Sequence, residues 1–447
     1  MKSFAKTSRL SRRQFLARST TALAAGAALP QILPQGVLAA PGVPGANDKI
    51  GVGFIGIGRQ ASGLLAGAAK LGEAKIVGFA DVNLKRAKEN AAKYNAFACQ
   101  NYHQLLERKE VDAIMTATPE HWRILIVLHA CQAGKDLYVE KPMSLTIKEG
   151  RWMEQAARKY KRIIQAGSQQ RSDPLDIAAC EFIRGGGLGK ITKVIASAYP
   201  SPWDHNMPAQ PKPEDLDWDM WCGPAPLVPY NESLYVPREK GPIAPGWLSL
   251  HPYSGGEVTG WGAHGYDMIQ YALGMDNSGP SEIWSEGGKY NPPVYDKPES
   301  KKRGDSMCLE PKVFFKYKTA TGDVVVEPGK APNFGAIFHG EKGWLKVDRG
   351  RLDSNPEDIF ETLMKNKPKV DGHTSNWLKC IKTRQKSTAD VEIGHRSASV
   401  CHLVNIARWT GRKLQWDPVK EEFIGDADAN KYLDRERRKG YTVPDKI

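Results

Sequence analysis

The chain has 447 residues, 41% hydrophobic and 25% charged. This excludes a disordered, collagen-like or wholly membrane-embedded protein and leaves room for two domains. The formal charge of +13 is partly local: residues 1–39 carry six Lys or Arg and no Asp or Glu, leaving 57 basic and 50 acidic residues beyond them. No later block interleaves Lys and Arg with aromatics, so nucleic-acid binding is not expected. Seven cysteines without a C-x-x-C pair give no disulfide or zinc framework, and no metal site is expected.

Arg12-Arg13, preceded by Ser11 and followed by Phe15-Leu16, opens the chain's first legible segment. An Ala- and Gly-rich run from Ala22 to Leu29 and the small residues around Val37-Leu38-Ala39 complete it. Residues 1–39 resemble a twin-arginine export signal, the alternative being a basic tail without an address. The apolar run is too short to span a bilayer, so no stable membrane insertion is expected. The resemblance implies recognition by the twin-arginine machinery, a periplasmic or extracytoplasmic location, and export of a folded protein with its cofactor loaded. Residues 40–48 read as a linker.

Residues 49–170 alternate strand and helix patterns. Ile50 to Ile55 is a buried strand that runs into Gly56-Ile57-Gly58-Arg59-Gln60-Ala61, the G-x-G-x-x-A form of a phosphate-binding turn. Gly56 permits the turn, Gly58 admits a pyrophosphate, and Ala61 keeps helix and sheet close. A second strand, Lys75 to Ala80, ends at Asp81, twenty residues past Ala61. A carboxylate there accepts hydrogen bonds from a ribose and repels a 2′-phosphate, favouring NAD over NADP; a helix cap before Asn83 to Lys93 is the other reading. Strands follow at Val111 to Ala117, Asp136 to Val139 and Arg162 to Ala166, with helices at Trp122 to Gln132 and Thr146 to Lys161. The alternation predicts a doubly wound parallel sheet. Asp81, Thr118-Pro119, His121 and Glu140-Lys141-Pro142 then fall at strand ends on one rim.

The Gly56–Ala61 turn, Thr118-Pro119-Glu120-His121-Trp122 and Glu140-Lys141-Pro142 together resemble the glucose–fructose oxidoreductase/inositol dehydrogenase (Gfo/Idh/MocA) family, over nearly all of residues 49–420. The resemblance implies that Lys141 lies beside a nicotinamide and touches a substrate hydroxyl, and that Pro142 fixes its turn through an unusual peptide geometry. A solvated loop lysine is the bland reading of Lys141. The expected NAD-binding set is Gly56, Gly58, Arg59, Gln60, Ala61, Asp81, Thr118, Pro119, His121, Glu140 and Lys141.

Residues 171–447 read as an α+β domain with a mainly antiparallel open sheet, and the resemblance implies that this domain binds substrate and mediates self-association. Gln169-Gln170-Arg171 opens a crossover helix, Asp173 to Arg184, before a strand at Val194 to Tyr199. Residues 200–252 are dense in Pro, Trp and Tyr, either a sugar-stacking surface or a loop core. Ser254-Gly255-Gly256-Glu257 to Asp267 resembles the family's G-G-x-x-x-D-x-G-x-H-x-x-D pattern. His264 holds the histidine position, where a neutral imidazole takes a proton from an alcohol; a structural histidine is the alternative. Asp267 either orients that ring or caps the helix. Gly260 replaces the pattern's first Asp, with Glu257 a possible substitute, and Leu248 stands after Trp247 where sugar-type relatives carry Arg. The expected catalytic pair is Lys141 and His264. The expected substrate contacts are Lys141, Gln169, Arg171, Trp203, Trp247, Tyr253, Glu257, His264 and Asp267. Strands are predicted at Val313–Tyr317, Val324–Val326, Ala336–Gly340 and Gly343–Val347, and helices at Thr374–Thr383 and Ser397–Thr410.

Three functions remain open on the sequence: an exported NAD(P)-dependent oxidoreductase of sugars, polyols or glycosides with a tightly held cofactor, an NAD-dependent glycoside hydrolase or lyase, and a non-catalytic sugar-binding protein on the same scaffold.

Overall fold

The computed structural model describes residues 49–235, 246–296, 310–443 and 447; the export-like segment and linker, residues 1–48, lie outside them. Six strands, β1 (Ile50–Ile55), β2 (Ala74–Ala80), β3 (Phe97–Cys99), β4 (Ala113–Thr116), β5 (Asp136–Val139) and β6 (Ile164–Ala166), form a parallel sheet in the order β3-β2-β1-β4-β5-β6. Strand β1 is buried throughout, and its glycines admit close neighbours: a Cβ at Gly51 would stand 1.9 Å from the Glu110 carbonyl oxygen. The boundaries follow local chemistry. Asn83 caps the helix Leu84–Tyr94 by accepting from Arg86 N, and Asn95 ends it at φ 49°. Thr146 caps Ile147–Lys159, and Glu149 reaches back to Leu145 N at 3.1 Å, a reciprocal capping arrangement.

The helix Pro174–Arg184, capped by Asp173, leads into a second sheet. Strand β7 (Ile191–Ala196) begins at Ile191 rather than Val194. A short parallel pair, β8 (Asp204–His205) and β10 (Val294–Tyr295), lies apart. The large sheet adds β9 (Glu282–Glu286), β11 (Lys312–Thr319), β12 (Gly322–Pro328), β13 (Ala336–Gly340), β14 (Gly343–Asp348), β15 (Arg351–Asn355), β16 (Leu414–Asp417) and β17 (Glu422–Phe423). Its order is β15-β14-β13-β7-β12-β11-β9-β16-β17, antiparallel except where β7 meets β12. The mainly antiparallel second sheet is therefore present beside the parallel one.

Residues 50–447 form one compact unit. The helix Val391–Thr410 packs between the halves. Arg151 of the first half pairs with Glu392 at 2.6 Å and Glu421 at 2.9 Å. The end of the chain then returns to the first half. Arg435 and Arg437 meet buried Glu149 at 2.8 and 2.9 Å, and the Tyr441 ring stands edge-on to Trp122, while Arg438 between them meets Asp219 of the second half at 2.7 Å.

Candidate active site

The parallel order reverses between β1 and β4, where open α/β sheets bind ligands beyond the strand ends. A cleft of about 520 Å³ lies there. Gly56 to Gln60 line it, with Asp81, Arg86, Thr118, Pro119, Glu140 and Lys141 along the rim. Trp221, Tyr235, Trp247 and Leu248 cover it from the second half of the chain.

The cleft fits a dinucleotide. Gly56 has φ +76°, and a Cβ there would come within 2.6 Å of Thr118 Cγ2, so the turn requires glycine. A Cβ on Gly58 would meet nothing within 4 Å, which leaves its backbone open to a pyrophosphate. The helix Arg59–Ala69 begins with no side-chain cap and no acid in its first turn, so its N–H groups are available to an anion. Ala61 is buried in the first turn of that helix. Asp81 accepts from Ile57 N at 2.7 Å and Asn83 N at 2.8 Å while lining the cleft. Asn83, not Asp81, is the helix cap.

At the far side of the switch point, Glu140 accepts from Gln60 at 2.9 Å and from Gln169 at 2.8 Å. Gln169 also meets the Tyr138 hydroxyl and so acts on the cleft through Glu140. The Lys141-Pro142 bond is cis. Buried Arg123 donates to the carbonyls of Thr118 and Pro142, tying both rim turns together. The Lys141 ammonium reaches across to the Gly260 carbonyl at 3.0 Å.

His264 is buried beside this rim. Arg349 Nη2 lies 3.1 Å from both ring nitrogens, and the ring packs on Phe334. Burial first, then the charges of Lys141 and Arg349, hold its pKa well below the ordinary histidine value. The imidazole is neutral. Glu257 is buried close by, its Oε2 3.1 Å from where a Cβ on Gly260 would stand.

Nine expected contacts do not line the cleft: Ala61, Gln169, Glu257 and His264, placed above, and His121, Arg171, Trp203, Tyr253 and Asp267. Arg171 and Asp267 instead form a buried ion pair at 2.9 Å, with Asp276 at 2.8 Å from the same guanidinium and Ser397 on Asp267. Asp267 therefore neither orients His264 nor caps its helix. His121 is fully buried, with Nε2 3.0 Å from the Trp221 carbonyl oxygen, and its ring packs against Tyr253. Tyr253 belongs to an aromatic core with Trp221, and Trp203 stacks on Tyr295. The aromatics of residues 200–252 are thus mainly core, with Trp221, Tyr235 and Trp247 presenting a face to the cleft.

Sequence reasoning missed Arg86, Tyr235, Arg123 and Arg349. Arg86 lies in the first turn after Asp81 and was within reach of a spacing argument. Arg123 adjoins the Thr118–Trp122 segment. Tyr235, whose hydroxyl accepts from Arg86 at 2.8 Å, and Arg349, in a hairpin turn, are brought in by tertiary structure alone.

A parallel sheet with a pyrophosphate-ready turn, an acid at the end of its second strand and a rim lysine at its switch point defines the class of dinucleotide-dependent oxidoreductases. Residues 50–168 match the oxidoreductase family's NAD-binding Rossmann fold, and residues 191–443 match its C-terminal alpha/beta domain. The chain belongs to the Gfo/Idh/MocA oxidoreductase family, and its first half is an NAD-binding domain.

Glycosyl hydrolase family 109 protein 2 of Shewanella sp. (strain ANA-3) is 27% identical over 207 residues, 44% of each chain. Inositol 2-dehydrogenase of Rubrobacter xylanophilus is 26% identical over 148 residues, 32% of this chain and 42% of its own. These matches span less than half the length of the curated relatives. In fold, the chain is similar to the WlbA dehydrogenase of Bordetella pertussis, solved with NADH and UDP-GlcNAcA, at TM-score 0.56, 16% identity and coverage of 83% and 99%. It is also similar to aldose-aldose oxidoreductase of Caulobacter crescentus, at TM-score 0.53, 16% identity and coverage of 82% and 99%.

Proposed function

We propose that the protein oxidises a sugar, polyol or glycoside with NAD, keeps the dinucleotide in its cleft, and works outside the cytoplasm after twin-arginine export. The observation that carries the catalytic reading is the Lys141 ammonium, held on the rim by Gly260. Asp81 follows β2 and Lys141 follows β5, three strand spacings away, or about 14 Å. The cleft therefore has an acidic ribose end and a cationic reaction end. The carboxylate of Asp81 favours NAD over NADP.

When bound, the nicotinamide supplies the hydride acceptor for a carbinol carbon. Lys141 stabilises negative charge on the carbinol oxygen as its proton leaves, and the neutral His264 imidazole accepts that proton. Glu140, fixed by Gln60 and Gln169, holds the rim turn from which Lys141 projects.

The purified folded protein is expected to release a dinucleotide on denaturation and to oxidise sugars from a panel. Lys141→Ala is expected to cut turnover by orders of magnitude while dinucleotide affinity stays within a few fold. Failure to bind a dinucleotide by calorimetry overturns the reading. Replacement of Arg12-Arg13 by lysines is expected to keep the protein in the cytoplasm. Self-association belongs to the same reading and is measured by light scattering.

A redox-neutral variant of this chemistry has its own support. The second half of the chain covers the cleft, with Tyr235 fixed by Arg86 and Asn83 over the ribose end. A cofactor retained there must be returned to its starting state within the site, by oxidation, elimination and return of hydride or by transhydrogenation. The glycosyl hydrolase family 109 relatives fit the first route. Cleavage of glycosides without added cofactor identifies it; intact glycosides alongside aldose–aldose exchange identify the second.

A further inference from the structure

The hairpin turn between β14 and β15 brings Arg349 to His264. Its guanidinium lies 3.9 Å over the Phe334 ring, which fixes the plane of the fork while the side chain remains exposed. A guanidinium carries five N–H donors, and Arg349 directs only Nη2 at a side chain among the described residues. Asp176, Glu140 and Asp348 are the carboxylates whose charges reach it, yet it forms no ion pair among the described residues. Asp176 is instead held by Gln170 and Gly350 N, and Glu140 by Gln60 and Gln169. An exposed, planar, unpaired arginine fork beside the candidate proton acceptor matches a carboxylate in shape and charge.

Arg349 also limits what His264 does. Whichever tautomer the ring adopts, the guanidinium stands against its bare nitrogen. Accepting a proton would place an imidazolium 3.1 Å from a cation. The base works only after Arg349 has moved aside or been neutralised.

We propose that Arg349 is a specificity-determining residue that selects a carboxylate-bearing sugar, and that the carboxylate, by drawing Arg349 off His264, frees the imidazole to accept the proton. This rests on the oxidoreductase reading above and names its substrate class. A neutral sugar leaves the guanidinium on His264; a sugar acid engages the fork and releases the base in the same event.

The test uses the dinucleotide-loaded protein and a panel of uronates with their neutral aldoses. Affinity is measured by calorimetry and turnover by nicotinamide absorbance, for the wild type, Arg349→Ala and Arg349→Lys. The wild type is expected to prefer uronates. Arg349→Ala is expected to weaken uronate binding about tenfold to a hundredfold and to raise turnover of neutral aldoses, two changes of opposite sign that a folding defect does not produce. Arg349→Lys restores charge without the fork and is expected to recover only part of the uronate affinity. Equal losses for both sugar classes, a wild-type preference for neutral sugars, or no uronate binding overturns the proposal. If Arg349→Ala still binds dinucleotide and oxidises neutral sugars, with no uronate effect, the oxidoreductase reading stands without it. Absence of dinucleotide binding in the wild type removes that reading itself.

Discussion

Lys141 Nζ donates to the carbonyl oxygen of Gly260 at 3.0 Å, joining the rim of the first sheet to the helical turn Glu257–Gly260 of the second half. The glycine at this position sits where even a Cβ is crowded. A Cβ there meets Glu257 Oε2 at 3.1 Å and Leu248 Cδ2 at 3.2 Å, and Leu248 lines the cleft. Gly260→Asp is therefore expected to press Leu248 into the cleft and to set two carboxylates together, so that one takes a proton. Substrate affinity should fall about tenfold, a loss of about 1.4 kcal/mol, with dinucleotide affinity unchanged. Unchanged substrate affinity with an upward-shifted acidic limb of the pH–rate profile would show that the acid acts through His264 instead.

Asp81 sits beside Arg86, with 3.6 Å between Oδ2 and Nη1. Removing the acid leaves a cation at the ribose end. Asp81→Ala is expected to weaken NAD binding about tenfold and to improve NADP binding, because Arg86 can then meet a 2′-phosphate. Calorimetry with both dinucleotides reads the ratio; equal weakening of the two sinks the argument. The loss of the bond to Ile57 N predicts a small fall in thermal stability as well.

Glu120 ties the halves together from within. It has no exposed surface and accepts from Ser254 Oγ at 2.6 Å, Gly255 N at 3.0 Å and Thr259 Oγ1 at 3.1 Å. Burial raises its pKa from 4.5 to about 7, although Arg123 and these donors pull it down. An acid whose folded pKa lies above its unfolded value takes up protons on folding between the two. Its contribution is present in full below about pH 4.5 and is lost as pH rises to about 7, a change of about 3 kcal/mol. Urea denaturation across that window should show a downward slope in the wild type that Glu120→Gln flattens. Parallel profiles for the two proteins would refute it.

The Arg171–Asp267 pair predicts a stability effect without a binding effect. Burial opposes the charge of Arg171, and Asp267 and Asp276 more than offset it, placing its pKa above the usual arginine value. Asp267→Asn leaves a buried cation poorly matched and should cost about 3–5 kcal/mol. Sugar affinity of the fraction that folds should stay near wild type. A selective loss of sugar binding would return Asp267 to the site.

The first sheet was legible because each part has a local signal. Glycines mark the turn, Asp81 ends an apolar run, and helices begin at Asn83, Thr146 and Asp173, residues whose side chains cap them. The short strand Phe97–Cys99 and the helix Glu357–Asn366 escaped notice, the first too short for periodicity and the second led by Pro356 rather than a capping side chain. Within the site, Lys141 and Asp81 stand on the cleft where their motifs put them. Arg171, Asp267, His121 and Tyr253 misled for one reason: polar and aromatic side chains near a motif read alike whether they face a ligand or satisfy each other in the core. Arg349 and Tyr235 come from distant segments, and no spacing along the chain announces them.

The return of residues 435–441 to the first half makes the cleft walls dependent on a distant segment. Arg438 holds the short helix Trp218–Cys222 that carries Trp221, and Tyr441 braces Trp122, so two walls of the cleft depend on a segment far downstream of them in the chain. The six strands of the NAD-binding sheet lie within residues 50–166 and take nothing from that segment, whereas the enclosure of the cleft does. Loss of residues 435–441 would therefore loosen the cleft walls while leaving the six strands themselves intact.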